Sequence, residues 1–438
     1  MSAPGATRAA PPGPTRLGVG AGASCAGEPE PEASGAPAGS TSLDAIAAEA
    51  LEALRARGTH RRMRLVTGPQ GPRMRVDGRE AWLFAGSNYL DLAHHPEVVE
   101  AAAEAARSHG CAAAGSRLIN GNGELHEALE AELAGFAGTA AALVFSTGYM
   151  ANIGVVPSLV GPGDVVVSDA LNHASIVDAC RLARAEVRIF PHGDVQALDE
   201  ALQTCAGGGG RRLLVADGVY SMDGDTAPLR EMVAVAKRWG ALVVLDDAHG
   251  FGTLGPGGRG TAALHGVEGD VDLVVGTLGK ALGSFGAFVA GSALARDWLV
   301  NVSRAFIFTC ALAPPQVAAA RAALRLVRGE PERRSRLQAL AERLRARLFR
   351  HGIATAPSTT QIVPVVVGEN APTMALCERL LARGFYAQGI RHPSVPEGTA
   401  RLRITPMSSH PPEVVDALAD AIAEELPRDA VARGAAGR

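Results

Sequence analysis

The feature that most constrains the fold is a regular alternation of short apolar runs with amphipathic helical patterns, which begins near His94. Strand-length apolar runs separated by helix-length segments are typical of βαβ units. They predict an α/β fold whose central sheet is mostly parallel and covered by helices on both faces. The predicted strands of this large domain are Ala141–Phe145, Val165–Ser168, Val187–Phe190, Arg212–Ala216, Ala241–Leu245 and Leu273–Val275.

The segments around this alternation predict the domain organisation. Residues 1–41 are rich in Ala, Gly, Pro and Ser and have almost no large apolar side chains, so we expect a disordered tail. An N-terminal arm at 42–93 starts with a helix that Thr41 or Ser42 could cap. The large domain covers 94–325, a smaller α+β domain covers 326–427, and a frayed tail occupies 428–438.

Periodicity places further elements along the chain. Pro96–Ala106 and Leu125–Phe136 have the spacing of amphipathic helices, and a long helical region runs from about Asn301 to Arg350. In the smaller domain we expect two strands and two helices. These are the strands Ile362–Val367 and Leu402–Ile404 and the helices Thr373–Arg383 and Pro412–Leu426.

Composition excludes several classes of function. The 438 residues carry a formal net charge of -3 and only 4% aromatic residues, which argues against a nucleic-acid partner. No apolar run approaches the roughly 18 residues that a membrane-spanning helix needs. The six cysteines lack the spacing of a disulfide framework or a zinc site. We therefore expect a cytoplasmic protein without a structural metal, a membrane partner or a nucleic-acid partner.

Three predicted strands end in polar segments, namely Ala216–Asp225, Leu245–Gly250 and Gly276–Ala281. In a parallel sheet, functional groups collect just beyond the carboxyl ends of the strands, so these segments should face one crevice. A lysine at the rim of an apolar crevice can act as a Schiff-base nucleophile, because burial lowers its pKa. Asp246 could then pair with the ring nitrogen of pyridoxal phosphate (PLP).

Other groups fit the same interpretation. Ser146–Tyr149 lies between a strand and a helix, where free backbone N–H groups suit a phosphate. Two alternatives stay open at this point. Gly279-Lys280 could be an ordinary surface turn with a solvated lysine. Asp246, Asp247 and His249 could bind a metal, although no second pair of ligands at helical spacing is visible.

Several motifs, in order along the chain, resemble the α-oxoamine synthase family of fold-type I PLP-dependent transferases. The resemblance covers residues 42 to 426. The motifs are Gly115-Ser116-Arg117-Leu118, Gly121-Asn122, His126, Leu129-Glu130, Asn172-His173-Ala174-Ser175, Ser221-Met222-Asp223-Gly224-Asp225, Asp246-Asp247-Ala248-His249-Gly250, Gly258-Arg259-Gly260 and Thr277-Leu278-Gly279-Lys280.

The resemblance implies a role for each matched residue. Lys280 would hold PLP and move the Cα proton, Asp246 would pair with the pyridine nitrogen, and His173 would stack on the ring. The ring hydroxyl and the phosphate would be held by further residues of the same motifs. Near the hydroxyl these residues are His249 and Ser221, and at the phosphate they are Thr277, Gly148 and Tyr149. The residues with a catalytic role would be Lys280, His173, Asp246 and His249.

The family also implies a homodimer with shared active sites, in which Thr309 reaches the phosphate of the partner. Asn88 would lie near the substrate, and Arg391 would bind the carboxylate of the amino acid through a bidentate pair. The implied reaction is a decarboxylating condensation of an amino acid with an acyl thioester, carried by CoA or by acyl-carrier protein. The segments 168–176 and 390–405 most resemble the branch that joins L-alanine to a pimeloyl group in biotin synthesis.

Departures from the family pattern keep other substrates open. The stretch Asn88-Tyr89-Leu90-Asp91 lacks an Asp between Asn and Tyr, and Asp217 stands where alanine-using members often carry Glu. Cys310 replaces Thr or Ser, and His392 replaces Pro. The alternatives are a sister enzyme that uses glycine or serine, of the 2-amino-3-ketobutyrate ligase or serine palmitoyltransferase type, and a secondary-metabolite C-acyltransferase. A catalytically inactive PLP-fold module is disfavoured, since Lys280 and Asp246 are both present.

Overall fold

The computed structural model describes residues 42–205 and 208–427. The predicted tails at 1–41 and 428–438 lie outside the described residues. The chain divides into two units between Leu54 and Arg55. Helix α1 (Leu43–Ala56) begins after Ser42, whose hydroxyl accepts a hydrogen bond from the backbone N–H of Ala45 at 3.1 Å. This confirms Ser42 as the cap of the first helix.

A seven-stranded sheet forms the centre of the second unit, in the spatial order β4-β10-β9-β8-β7-β5-β6. All strands are parallel except β10, which runs antiparallel to both of its neighbours. The six predicted strands are confirmed to within two residues at their ends. The strands are β4 (Ala141–Phe145), β5 (Val165–Asp169), β6 (Glu186–Phe190), β7 (Arg212–Asp217), β8 (Leu242–Asp246), β9 (Leu273–Thr277) and β10 (Ala287–Gly291).

Two smaller sheets accompany the large one. A four-stranded sheet combines β1 (Val66–Thr67), β2 (Arg73–Val76) and β3 (Arg79–Leu83) with β12 (Phe385–Tyr386). An antiparallel sheet has the order β11-β14-β13. Its strands are β11 (Val363–Gly368), β13 (Gln388–Ile390) and β14 (Ala400–Ile404). The two C-terminal strands predicted from the sequence are thus confirmed, while the domain boundaries stay predictions.

Helices cover both faces of the large sheet and one face of the C-terminal sheet. The predicted long helical region is divided among four helices, with breaks at Ser303, at 308–313 and before Pro331. The last break arises because proline cannot continue the hydrogen-bond ladder of the preceding helix. The helices are α2 (Pro96–His109), α3 (Glu124–Ala137), α4 (Gly148–Leu159), α5 (Ala174–Ala183), α6 (Val195–Gln203), α7 (Leu229–Arg238), α8 (Thr261–His265), α9 (Ala293–Val302), α10 (Arg304–Ile307), α11 (Pro314–Gly329), α12 (Pro331–Arg350), α13 (Asn370–Ala382) and α14 (Pro412–Glu425).

The strands of the large sheet are apolar because both of their faces are buried. One hydrophobic cluster packs α4 and α5 against the sheet, and two others lie under α7 and under α3 and α11. This burial stabilises the sheet by roughly 25 cal/mol for each Å² of apolar surface removed from water. The result is a rigid layer whose strand ends point to one edge. Within the described residues, every helix is too short or too polar to cross a membrane.

Candidate active site

The carboxyl ends of the parallel strands surround a cavity of about 210 Å³. In the sheet register, Asp217 at the end of β7 lies opposite Asp246 at the end of β8. The polar segments that follow β7, β8 and β9 therefore meet, as the alternation of strands and helices predicted. The residues that line the cavity are Gly148, Tyr149, His173, Ser175, Asp217, Ser221, Asp246, Ala248, His249, Thr277 and Lys280.

Lys280 follows β9 and reaches into this cavity. Its Nζ lies 2.8 Å from Nε2 of His249, which is itself buried. Burial lowers the pKa of Lys280 to about 8, although the carboxylate of Asp246 opposes this effect. Burial also lowers the pKa of His249 well below its usual value, and the charge of Lys280 adds to the effect. A substantial fraction of Lys280 is therefore the neutral, nucleophilic amine near physiological pH.

Asp246 is buried, and both of its carboxylate oxygens accept hydrogen bonds. Asn152 Nδ2 donates to Oδ2 at 2.6 Å, and the backbone N–H of Ala248 donates to Oδ1 at 3.0 Å. Asn152 lies on α4 and also donates to the hydroxyl of Ser175 at 2.9 Å. These donors hold a negative charge in the cavity and fix its direction.

His173 lies at the start of α5, beside the cavity. Its backbone N–H donates to Asp217 Oδ2 at 2.7 Å, and its Nδ1 lies 2.7 Å from the hydroxyl of Ser175. Burial lowers the pKa of His173, so the ring is a neutral planar surface. Burial raises the pKa of Asp217 well above its ordinary value, and the neighbouring charge of Asp246 acts in the same direction.

Gly148 and Tyr149 form the first turn of α4, and Thr147 caps this helix by accepting a hydrogen bond from the N–H of Met150 at 3.1 Å. A helix N-terminus offers unpaired N–H groups and favours an anion. A side-chain carbon added to Gly148 would meet no atom within 4 Å, so the space above this turn is open. Thr277 contributes a hydroxyl that accepts a hydrogen bond from the N–H of Gly279.

Three predicted site residues lie elsewhere in the described chain. The side chain of Asn88 accepts hydrogen bonds from the N–H groups of Leu92 and Ala93, so it shapes its own loop. Arg391 lines a separate cavity of about 340 Å³ and donates to the carbonyl of His60. Thr309 lies near Ser146, outside the cavity of Lys280. The roles predicted for these three residues stay predictions.

Two residues that touch the site could not be predicted from the sequence. Asn152 supports Asp246 from an otherwise apolar helix, and the hydroxyl of Tyr89 lies 2.7 Å from Nδ1 of His249. Asn152 is buried within the apolar pattern of α4. The only sequence signal for Asn152 is that it is a single amide in an apolar pattern. It lies four residues after Gly148, where the helix that follows the proposed phosphate turn begins.

The donors around the cavity fit PLP. The lysine with a lowered pKa suits the aldehyde, the fixed carboxylate of Asp246 suits the ring nitrogen, and the N-terminus of α4 suits the phosphate. The flat, neutral ring of His173 lies on the lining between these groups. Each part of the cofactor thus has a partner of matching chemistry on one side of a single cavity.

Comparisons with known proteins agree with this geometry. Residues 80–422 match the family model described as aminotransferase class I and II. The chain belongs to that family. A relative named 8-amino-7-oxononanoate synthase, from Geobacter metallireducens, is 52% identical over 84% of this chain and 94% of its own. Another of the same name, from Geobacter sulfurreducens, is 53% identical over 82% of this chain and 92% of its own. The predicted family resemblance is confirmed.

Comparison with solved structures confirms the fold. A serine palmitoyltransferase from S. paucimobilis, described with bound PLP, has a TM-score of 0.83 and 35% identity, and covers 89% of this chain and 98% of that one. The serine palmitoyltransferase of Sphingomonas wittichii has a TM-score of 0.82 and 37% identity, and the match covers 87% of this chain and 96% of that one. The fold-type I architecture with a mostly parallel sheet is therefore shown.

Proposed function

We propose that the protein is an 8-amino-7-oxononanoate synthase. It condenses L-alanine with a pimeloyl thioester, releases the thiol carrier and carbon dioxide, and serves biotin synthesis. The observation that carries this proposal is the identity of 52–53% to relatives of that name. The lysine, carboxylate and histidines of the cavity supply the groups that such a reaction needs.

The cofactor is PLP, which supplies an electron sink for negative charge that develops on the Cα atom of the amino acid. Lys280 holds the cofactor and then moves the proton at Cα, a task that favours a base with a pKa near the working pH. Its pKa of about 8 meets this requirement. Asp246 keeps the ring nitrogen protonated, and Asn152 orients the carboxylate for that contact.

The other lining residues orient the cofactor and exclude water. His173 would cover the face of the ring, and His249 and Ser221 would donate toward its hydroxyl group. The first turn of α4, at Gly148 and Tyr149, would bind the phosphate together with Thr277. Among these residues His249 is buried, and Gly148, Ser221 and Thr277 are partly buried, which strengthens their electrostatic interactions.

A second cavity, of about 680 Å³, shares Ser221 with the first and suits the acyl thioester. It extends between the start of α5 and the segment 392–397 of the C-terminal part, and its lining is more apolar at Leu171 and Val395. Replacing Leu171 with Trp should raise the KM for the thioester several-fold and leave the KM for alanine unchanged. Equal changes in both KM values would contradict this assignment.

Substrate carboxylate binding by Arg391 requires the guanidinium to leave the carbonyl of His60 and turn toward the cavity of Lys280. Support comes from the adjacent residues His392 and Ser394, which belong to the lining of the acyl cavity. Arg391→Lys should raise the KM for alanine at least tenfold, since a lysine cannot form the bidentate pair. The KM for the thioester serves as the internal control.

A homodimer in the cytoplasm completes the proposal. The apolar side chains of Ile119 and Phe308 are 83% and 71% exposed in the single chain, and a partner subunit would cover them. Thr309 is next to Phe308 and would then face the phosphate of the partner. The described cysteines are free thiols, which agrees with a reducing compartment. Sedimentation analysis of the purified protein tests the dimer.

The decisive assay measures thiol release from pimeloyl-CoA in parallel reactions with L-alanine, glycine and L-serine. We expect rapid release with alanine alone, and none from a Lys280→Ala variant. Release with glycine or serine but not alanine would overturn the choice of amino acid. Release only from pimeloyl-acyl-carrier protein would leave the reaction intact and change the carrier.

Serine is the second candidate amino acid, because the most similar solved structures reported above are serine palmitoyltransferases. Their identity of 35–37% is well below the 52–53% of the oxononanoate synthases. This difference favours alanine. The serine reaction of the assay above, repeated with palmitoyl-CoA, tests the alternative directly.

A further inference from the structure

A buried row of hydrogen bonds connects the C-terminal sheet to Lys280. Arg403 on β14 donates through Nη2 to the hydroxyl of Tyr89 at 3.2 Å. That hydroxyl lies 2.7 Å from Nδ1 of His249, and Nε2 of His249 lies 2.8 Å from Nζ of Lys280. Tyr89 is only 1% exposed, so water cannot substitute for these partners.

Arg403 determines which atoms donate and which accept along this row of hydrogen bonds. A guanidinium group can only donate hydrogen bonds, so the hydroxyl of Tyr89 must accept from Arg403. The single hydroxyl proton of Tyr89 is then available to Nδ1 of His249. A neutral imidazole that accepts at Nδ1 carries its own proton on Nε2. Nε2 therefore donates toward Lys280, and the lysine nitrogen accepts.

The charges around the row agree with this direction. His249 faces three other basic groups, which are Lys280, Arg403 and His173, and these disfavour a positive imidazole. Burial lowers the pKa of His249 well below its ordinary value, so the ring is neutral. The pKa of Lys280 is lowered to about 8, which makes an accepting amine accessible. The carboxylates of Asp246 and Asp217 act on Lys280 in the opposite sense.

We propose that Tyr89 and Arg403 are positioning residues that hold His249 as the tautomer with its proton on Nε2. His249 thereby presents a hydrogen-bond donor to the nitrogen of Lys280 and to the space where the cofactor binds. This inference rests on the proposed site, but it does not depend on which amino acid or acyl group reacts. Arg403 also donates through Nε to the carbonyl of Ser221 at 2.5 Å, which ties the row to a second residue of the cavity.

The test reads the tautomer of His249 by nitrogen NMR of histidine-labelled, full-length protein at pH 9, above the pKa of Lys280, with and without PLP. The His249→Asn variant identifies the signal. We expect the Nε2–H tautomer in the wild type, and a mixture or the Nδ1–H tautomer in Tyr89→Phe. Arg403→Met should shift the population in the same direction, because the hydroxyl proton of Tyr89 is then no longer directed to His249.

Tyr220→Phe is the matched control. Tyr220 is also 1% exposed, and its hydroxyl has no hydrogen-bond partner in the part of the chain that the structure describes. It should leave the tautomer of His249 unchanged. An Nδ1–H tautomer in the wild type would overturn the proposal, and so would equal effects of the two tyrosine variants.

A second readout follows the pKa of Lys280 in the cofactor-free protein, measured as the pH dependence of its modification by an amine reagent. In Tyr89→Phe, Nε2 of His249 becomes free to accept from a protonated Lys280, so the pKa should rise by about one unit. An unchanged or lower pKa would contradict the proposal. Neither measurement uses the substrates, so failure of the thiol-release assay would leave this inference standing.

Discussion

The ion-pair cluster around His192 makes the stability of the protein depend on pH in a predictable direction. Nδ1 of His192 lies 3.1 Å from Asp169, and Nε2 lies 2.9 Å from Asp225. Asp169 ends β5, close to His173, and Asp225 closes the loop that begins at Ser221. The imidazolium therefore joins two segments that contribute to the cavity. We expect His192→Asn to loosen this connection.

The magnitude follows from the protonation equilibrium. Hydrogen bonds to the two carboxylates raise the pKa of His192 from 6.5 to about 10. Because the folded value lies above the unfolded value, this stabilisation is complete below pH 6.5 and is lost as the pH rises through about 10. At about 1.4 kcal/mol per pKa unit, and allowing for a side chain that is 27% exposed, it contributes roughly 3 kcal/mol at pH 6.

Urea unfolding of the wild type and His192→Asn at pH 6, 8 and 10 provides the assay. The difference in unfolding free energy between them should be about 3 kcal/mol at pH 6 and should shrink steadily toward pH 10. His109→Asn is the matched control, since His109 pairs with Glu124 at the surface and such pairs contribute at most about 1 kcal/mol. A difference that is constant across this range would refute the reasoning.

Three further predictions concern single substitutions. Asn152→Ala should weaken PLP retention about tenfold in equilibrium dialysis, because Asp246 loses the donor that orients its Oδ2. Glu130→Ala should lower the free energy of unfolding by about 3–5 kcal/mol in urea titrations, since it leaves the buried charge of Arg117 unpaired. Gly260→Ala should abolish soluble expression, because φ is +96° and the added methyl group would overlap a buried carboxylate oxygen. A soluble Gly260→Ala protein would contradict the last.

The sheet could be predicted because burial on both faces makes each parallel strand a continuous apolar run. The same rule explains why β10 was missed. This strand returns antiparallel to β9 through a short connection that contains Lys280, so it lacks the crossover helix that marks its neighbours. Its short apolar sequence, Ala-Phe-Val-Ala between two glycines, is not preceded by the helical pattern that comes before the parallel strands. Local pattern therefore indicated the parallel strands and not the strand inserted between them.

The residues of the candidate site also fall into those that could be predicted from the sequence and those that could not. Residues at strand ends, such as Asp246 and Lys280, could be predicted because topology alone brings them together. Tyr89 and Asn152 could not, because their partners lie 160 and 94 positions away along the chain and a hydrogen bond leaves no trace in local sequence. The resemblance to a known family named the residues that we propose to meet the cofactor, but it did not indicate the groups that orient them.

Some of the motifs that carried the family resemblance stabilise the fold, while others line the cavity of Lys280. Arg117 and Glu130 form an ion pair whose side chains are each 5% exposed, remote from the cavity lining, and the Gly258-Arg259-Gly260 turn packs against a buried carboxylate. Motifs of this kind indicate that the fold is kept, and they say nothing about the substrate. Two of the departures lie elsewhere, since Asp217 lines the cavity of Lys280 and His392 lines the adjoining cavity that we propose for the acyl thioester. Substitutions on the substrate side of an intact scaffold are expected where a fold keeps its cofactor chemistry and changes its substrates. Exchanging Asp217 for Glu, which keeps the carboxyl group and lengthens the side chain, should therefore alter the preference among amino acids more than the retention of PLP.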